Sequence, residues 1–215
     1  MSEMVLRTFN SKKNMVRLIS VDTEDGQQTL VAKTFSDIDM LKKESEISKT
    51  LTLAGLRTPQ FMSADGDTIF YEYINSDNLC DILFEAEKKG DSGLYKAFRL
   101  TIDWLIVFFY TTGFIMNDVN LRNFLYDGRQ ITGVDFEESA AGIPERDFGK
   151  LLAFTLTYEP EFTHVKKSLV QETIAYIKGK ESFNTELVDI YLNKELRAIR
   201  QRRNGVVNEK AYTGV

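Results

Sequence analysis

The sequence predicts an α+β fold in which a β-rich first part meets a mainly helical second part near residue 74. Three observations carry this. Runs of β-formers separated by turn signals fill much of the chain up to Ile74. One stretch in that part, after Ser36, has helical spacing. Beyond Asn75 the apolar residues fall mostly at helical intervals, in long runs with helix stop signals.

In chain order, Val5 to Phe9 and Met15 to Val21 are strand-like and are joined by the turn SKKN, Ser11 to Asn14. TEDGQQ, with Asp25-Gly26, signals a hairpin, and Thr29 to Phe35 follows as a third strand. Asp37 to Leu53 places Ile38, Leu41, Ile47 and Leu51 at mostly helical spacing, with Ala54 just beyond. Ser36 is positioned to cap this helix, Gly55 ends it and Pro59 prevents its continuation. SADGD supplies a turn before Thr68 to Ile74, a dense β-former run. Leu79 to Lys89 and Leu94 to Thr112 read as helices, the second apolar enough to be buried and stopped by Gly113. Two short strand-like pieces, Asn123 to Tyr126 and Ile131 to Phe136, flank the turn Asp127-Gly128. Phe148 to Thr157, Val165 to Lys178 and Thr185 to Arg203 complete the helical part. A boundary between two such parts is a natural place for a ligand cleft.

The length of 215 residues suits one domain or two small lobes sharing a cleft. Hydrophobic residues make up 43% and charged residues 27%, which excludes wholesale disorder, and the net charge of -5 argues against a general nucleic-acid binder. One cysteine, Cys80, and one histidine, His164, leave no internal disulfide, and neither lies in a motif for a catalytic triad or a zinc site. What remains for chemistry is carboxylates, amides and lysine, the inventory of magnesium and phosphate work. The longest strongly apolar run, Trp104 to Tyr110, is far shorter than the ~20 residues of a membrane span. With no signal-peptide pattern at the N-terminus, the expected location is cytoplasmic, with no membrane partner.

The segment GFIMNDVNLRNFLYDGRQITGVDFEE, Gly113 to Glu138, places Asp118, Asn123 and Asp135 at the ends of short strand-like pieces. A carboxylate such as Asp118 suits the proton of an attacking hydroxyl. An amide oxygen and a second carboxylate, Asn123 and Asp135, suit hard Mg²⁺. D-x-x-x-x-N followed by a hairpin and D-F-x resembles the catalytic and metal-binding loops of the protein-kinase-like superfamily. VAK in the third strand resembles the place of the phosphate-binding lysine in kinases, and the helix segment LKKESEISKTLTLAGLRTPQF with Glu44 is similar to the small kinase subunit of the KEOPS complex. PERDFGKLLAF, Pro144 to Phe154, resembles the buried-aspartate segment of aminoglycoside and choline kinases.

The resemblance covers about residues 5 to 203 and implies a two-lobed protein-kinase-like fold, with an N-lobe of residues 1–74 and a C-lobe of 75–215. It implies that the chain binds ATP and Mg²⁺. Lys33 holds the α- and β-phosphates and pairs with Glu44, for which Glu46 is the competing residue. Tyr71 lies at the back of the adenine pocket, and backbone groups of Glu72 and Ile74 meet the adenine edge. Asp147 braces the catalytic loop, and Glu137 either approaches the metal or stands behind its ligands. The implied activity is that of an atypical serine/threonine-type kinase. The alternatives are a small-molecule kinase, or a nucleotide-binding pseudokinase that acts as an interaction module. The acceptor is not identified.

The sequence also departs from the pattern. No glycine-rich loop joins the first two strands, and Lys12 and Lys13 of SKKN offer charge in its place. Met116 and Asn117 stand where histidine or glycine is usual, and DFE replaces DFG. The interval from Asp135 to Asp147 is too short for a regulated activation loop or a peptide-docking platform. The basic run holding Arg197, Arg200, Arg202 and Arg203 is a candidate contact for RNA or an acidic partner, or a solvated helix end.

Overall fold

The computed structural model describes residues 3–9, 11, 13–23, 26–89 and 94–212, with side chains described through residue 204. The chain is α+β. An antiparallel sheet of five strands forms its N-terminal part: β1 (Glu3–Phe9), β2 (Met15–Thr23), β3 (Gly26–Thr34), β4 (Phe61–Asp65) and β5 (Thr68–Glu72), in the order β1-β2-β3-β5-β4. β4 occupies residues where the sequence predicted only a turn. Met62, Ser63 and Ala64 are exposed and lack the β-branched side chains that mark a strand. Pairing with β5 across Gly66, which sits at φ +57, makes the strand instead.

Residues directly opposite in an antiparallel ladder share a face. The register Val31↔Tyr71 and Lys33↔Ile69 therefore puts these four side chains on one face. Helix α1 (Ile38–Leu53) packs there, with Leu41 joining Phe35, Ile69 and Tyr71 in one apolar cluster. Its cap is Asp37 rather than Ser36: the Asp37 carboxylate accepts the Asp39 N–H at 2.8 Å.

The second part holds five further helices among the described residues: α2 (Leu79–Lys89), α3 (Tyr95–Thr112), α4 (Pro144–Thr157), α5 (His164–Lys178) and α6 (Thr185–Tyr212). A small sheet, β6 (Asp77–Asn78), β7 (Phe124–Tyr126) and β8 (Ile131–Gly133), runs in the order β6-β7-β8, with a 3₁₀ turn at Leu121–Asn123 before β7. The two-residue β6 is too short to carry a sequence signal. β8 ends at Gly133 instead of Phe136, because Asp135 turns the chain with φ 69. α4 begins at Pro144, ahead of the predicted Phe148, with the proline in the first turn where its missing N–H costs nothing. α6 runs past Arg203.

α3 carries the centre of the core. Trp104 stacks on Phe108 at 5.3 Å and on Phe136 at 6.1 Å, and meets Phe124 edge-on at 5.9 Å. Ile47 and Leu51 of α1 enter this same core, so the N-terminal helix is anchored in the helical part. The Trp104 indole N–H donates to the Arg57 carbonyl at 2.8 Å, fixing the link after α1 to the same point. No helix among the described residues is long and apolar enough to cross a membrane.

α4 and α6 touch at Gly149. A Cβ there would lie 2.6 Å from the Leu192 amide nitrogen and 2.7 Å from the Val188 carbonyl oxygen. At an open helical site Gly→Ala stabilises by ~1 kcal/mol. Here Gly149→Ala must push α6 away, and we expect it to lower stability by about 1–3 kcal/mol. Thermal melting decides: a raised Tm would show that the two helices are not in close contact.

Candidate functional site

Lys33 is the penultimate residue of β3 and is buried, with 6% of its surface exposed. Its Nζ lies 2.7 Å from Glu44 Oε2, 2.6 Å from Asp135 Oδ1 and 3.1 Å from Glu137 Oε2. These partners come from α1 and from the segment after β8, so one ammonium ties three stretches of chain. Glu44, not the exposed Glu46, is the partner on α1. Glu44 is held in turn by the Tyr71 hydroxyl, which donates to its Oε1 at 3.2 Å, with Ser48 Oγ 3.4 Å from that hydroxyl. Tyr71, expected from the sequence at the back of an adenine pocket, holds Glu44 through its hydroxyl and has its ring in the apolar cluster with Phe35, Leu41 and Ile69.

Asp135 and Glu137 are presented together by Phe136 between them. That ring is buried against Trp104 and Phe108, while the carboxylates before and after it both reach Lys33. Asp135 takes φ 69, a conformation that costs a non-glycine residue energy and that the anchored ring and the ion pair maintain.

Burial works against the charge on Lys33, but Glu44, Asp135 and Glu137 outweigh it and hold the ammonium above its ordinary value. Burial pushes Glu44 up to about 7, against the pull of Lys33. Three carboxylates converge with oxygens within 4.8 Å of one another, against one buried lysine. This surplus of negative charge on hard oxygen donors fits a divalent cation such as Mg²⁺. Asn123, the other metal ligand expected from the sequence, donates its amide N–H to the Asp118 carbonyl at 3.0 Å.

The loop carrying Asp118 is braced from α4. Both Asp147 oxygens accept backbone N–H groups, from Met116 at 2.7 Å and Asn117 at 3.0 Å. Met116 is fully buried in the core. Asn117 sits at φ 64, which asparagine tolerates better than most residues, and its Nδ2 donates to the Glu138 carbonyl at 3.2 Å. The Met116-Asn117 pair is therefore well held. Asp118 is half-buried, and burial followed by nearby Asp135 raises its carboxyl above the ordinary range.

The β1–β2 turn reaches down to the same segment. Lys13 pairs with Glu138, and the Asn14 side-chain amide donates to Glu137. Lys43 of α1 donates to the Glu137 carbonyl at 2.8 Å. Lys13 is thus engaged by a carboxylate, and Lys12 lies outside the described residues. Asn14 and Lys43 were not legible as site residues, because each acts through a contact about a hundred positions away. At the predicted adenine edge, the Glu72 amide is spent on the Gln60 carbonyl at 2.9 Å. The Ile74 carbonyl accepts from Ser76 at 3.0 Å, and the Ile74 amide meets no acceptor among the described residues. Of the C-terminal arginines, Arg202 pairs with Glu195 at 2.7 Å and Arg203 with Glu161 and the Thr157 carbonyl. Arg197 and Arg200 remain exposed.

The folded value of Glu44, about 7, lies above the ordinary 4.5, so its proton is held more tightly in the fold than in the unfolded chain. Its contribution to stability is present at acid pH and is lost as pH rises through about 7. Removing Lys33 exposes the carboxylates to one another and enlarges this effect. Lys33→Met is expected to cost about 3–5 kcal/mol above neutral pH, and less near pH 5, where Glu44 takes up its proton. Urea unfolding of both proteins at the two pH values measures this. An equal deficit at both would mean that carboxylate repulsion is not what Lys33 relieves. Scanned against protein-family models the chain matches none, and a search of curated proteins finds no match, so the functional case rests on this geometry.

Proposed function

We propose that the chain is an ATP- and Mg²⁺-dependent phosphotransferase with a two-lobed protein-kinase-like fold, acting on a hydroxyl in the manner of an atypical serine/threonine kinase. The observation that carries this reading is the buried Lys33 bridging Glu44 of α1 and Asp135 after β8. A lysine fixed between a helix carboxylate and a metal-binding carboxylate is what phosphate binding next to a metal requires.

In this reading Lys33 binds the α- and β-phosphates, with Glu44 and Tyr71 keeping its ammonium in place. Asp135 and Asn123 hold the metal, and Glu137 adds negative charge beside it. The ion supplies neutralisation of the phosphate oxygens as charge shifts onto the leaving group. Asp118 accepts the acceptor's hydroxyl proton, the freed oxygen bonds to the γ-phosphorus, and the bond from phosphorus to the β-phosphate oxygen breaks to release ADP. A carboxyl raised by burial and by Asp135 is a better proton acceptor than an exposed one. The Ile74 amide is the backbone donor for the adenine edge.

A second reading concerns the acceptor. The segment between Glu137 and the start of α4 at Pro144 is short and pinned by the Ile115↔Ala140 bridge. That leaves little surface for a peptide and favours a small-molecule alcohol.

ATP consumption by the wild type and Asp118→Asn, beside their Mg-ATP affinities, tests the assignment. We expect turnover to fall about 10²–10⁴-fold with affinity near that of the wild type. A wild type that binds Mg-ATP without turning it over would replace this reading by that of a binding module.

A further inference from the structure

Lys150, one turn after Asp147 on α4, is a half-buried cation that the roles above leave unused. Its Nζ donates to the Asn117 carbonyl at 2.6 Å and to Asn117 Oδ1 at 3.1 Å. The Asn117 carbonyl belongs to the peptide unit that joins Asn117 to Asp118. The N–H of the same unit, on Asp118, donates to the Met116 carbonyl at 2.8 Å. This peptide plane is therefore held at both ends, by Lys150 on the oxygen and by Met116 on the N–H. Asp147 takes the two preceding N–H groups. Two side chains three positions apart on α4 thus secure the donors and the acceptor of one strained stretch, in which Asn117 has φ 64.

Burial, with Arg146 beside it, pulls the Lys150 ammonium below its ordinary value, against Glu195 of α6, Asp147 of α4 and Asp118 of the loop, which favour its charged form. Arg202 in turn anchors Glu195 at 2.7 Å. A neutral side chain could not offer a charge-assisted donor to two oxygens of one residue, and such bonds hold direction better than neutral ones.

We propose that Lys150 is a positioning residue for Asp118: by fixing the Asn117–Asp118 peptide plane it aims the Asp118 carboxylate at the acceptor hydroxyl. The inference rests on the phosphotransfer reading for its catalytic consequence but not for its structural one. Misplacement of a reacting group by about 1 Å can cost ~10²-fold in rate, and nothing in the proposal touches nucleotide.

Lys150→Met and Lys150→Arg separate the possibilities. In Lys150→Met, amide hydrogen exchange over residues 116–120 is expected to quicken while α4 stays protected. Its kcat should fall ~10–100-fold, with the KM for ATP within about two-fold. Lys150→Arg, which keeps charge and donors, should restore most of both. Unchanged loop exchange in Lys150→Met, or a lowered Tm with kcat intact, overturns the proposal. Should Lys150→Met fail to fold, Lys150→Gln removes the charged donor while keeping a polar side chain at the half-buried position. It is expected to quicken exchange over the same residues, and unchanged exchange there overturns the proposal. Exchange needs no activity, so a wild type without ATP turnover would sink the phosphotransfer reading while this arm still decides whether Lys150 holds the loop.

Discussion

One buried ammonium organises this protein. Lys33 is the meeting point of β3, α1 and the segment after β8, and each of its carboxylate partners is costly to bury without it. The arrangement is lopsided by design of charge: three carboxylates face one lysine, and burial pushes Glu44 up to about 7. A cluster with surplus negative charge on hard oxygen donors has the chemistry to hold a cation. The Tyr71 hydroxyl on Glu44 and the Asn14 amide on Glu137 both donate to carboxylates, so neighbouring groups temper the excess without cancelling it.

Rigidity around this point comes from the helical part. Phe136 is locked in an aromatic group with Trp104 and Phe108, which fixes the two carboxylates beside it. Trp104 also lies against Gly133, where a Cβ would meet the ring at 2.3 Å, so the turn from β8 to Asp135 runs tight over the indole. The neighbouring loop is held by backbone bonds to Asp147 and Lys150. Asn117 and Asp135, two of the three non-glycine residues at positive φ among the described residues, both belong to this region.

Much of this was legible in the sequence. Periodicity located α1, α2 and α3 to within a residue, and the motif spacing singled out Lys33, Glu44, Asp118, Asn123, Asp135 and Asp147, which the fold brings into one region. What escaped notice shares a physical cause. β4 lacks strand-forming side chains and exists through its partner strand, and β6 has two residues. Asn14, Lys43 and Lys150 act through contacts with distant segments, and a polar residue in a turn or on a helix looks the same whether or not a distant acceptor awaits it. The Tyr71 hydroxyl likewise meets Glu44 across the gap between β5 and α1, a contact that no local pattern marks.

The carboxylates around Lys33 are proposed to form a metal-nucleotide site. Titration calorimetry of ATP with excess Mg²⁺, and again in EDTA, tests it most directly on the wild type and Asp135→Asn. The account predicts binding that depends on Mg²⁺ in the wild type and is weakened in Asp135→Asn. Equal affinity with and without the metal, or an Asp135→Asn that binds Mg-ATP as the wild type does, would contradict it.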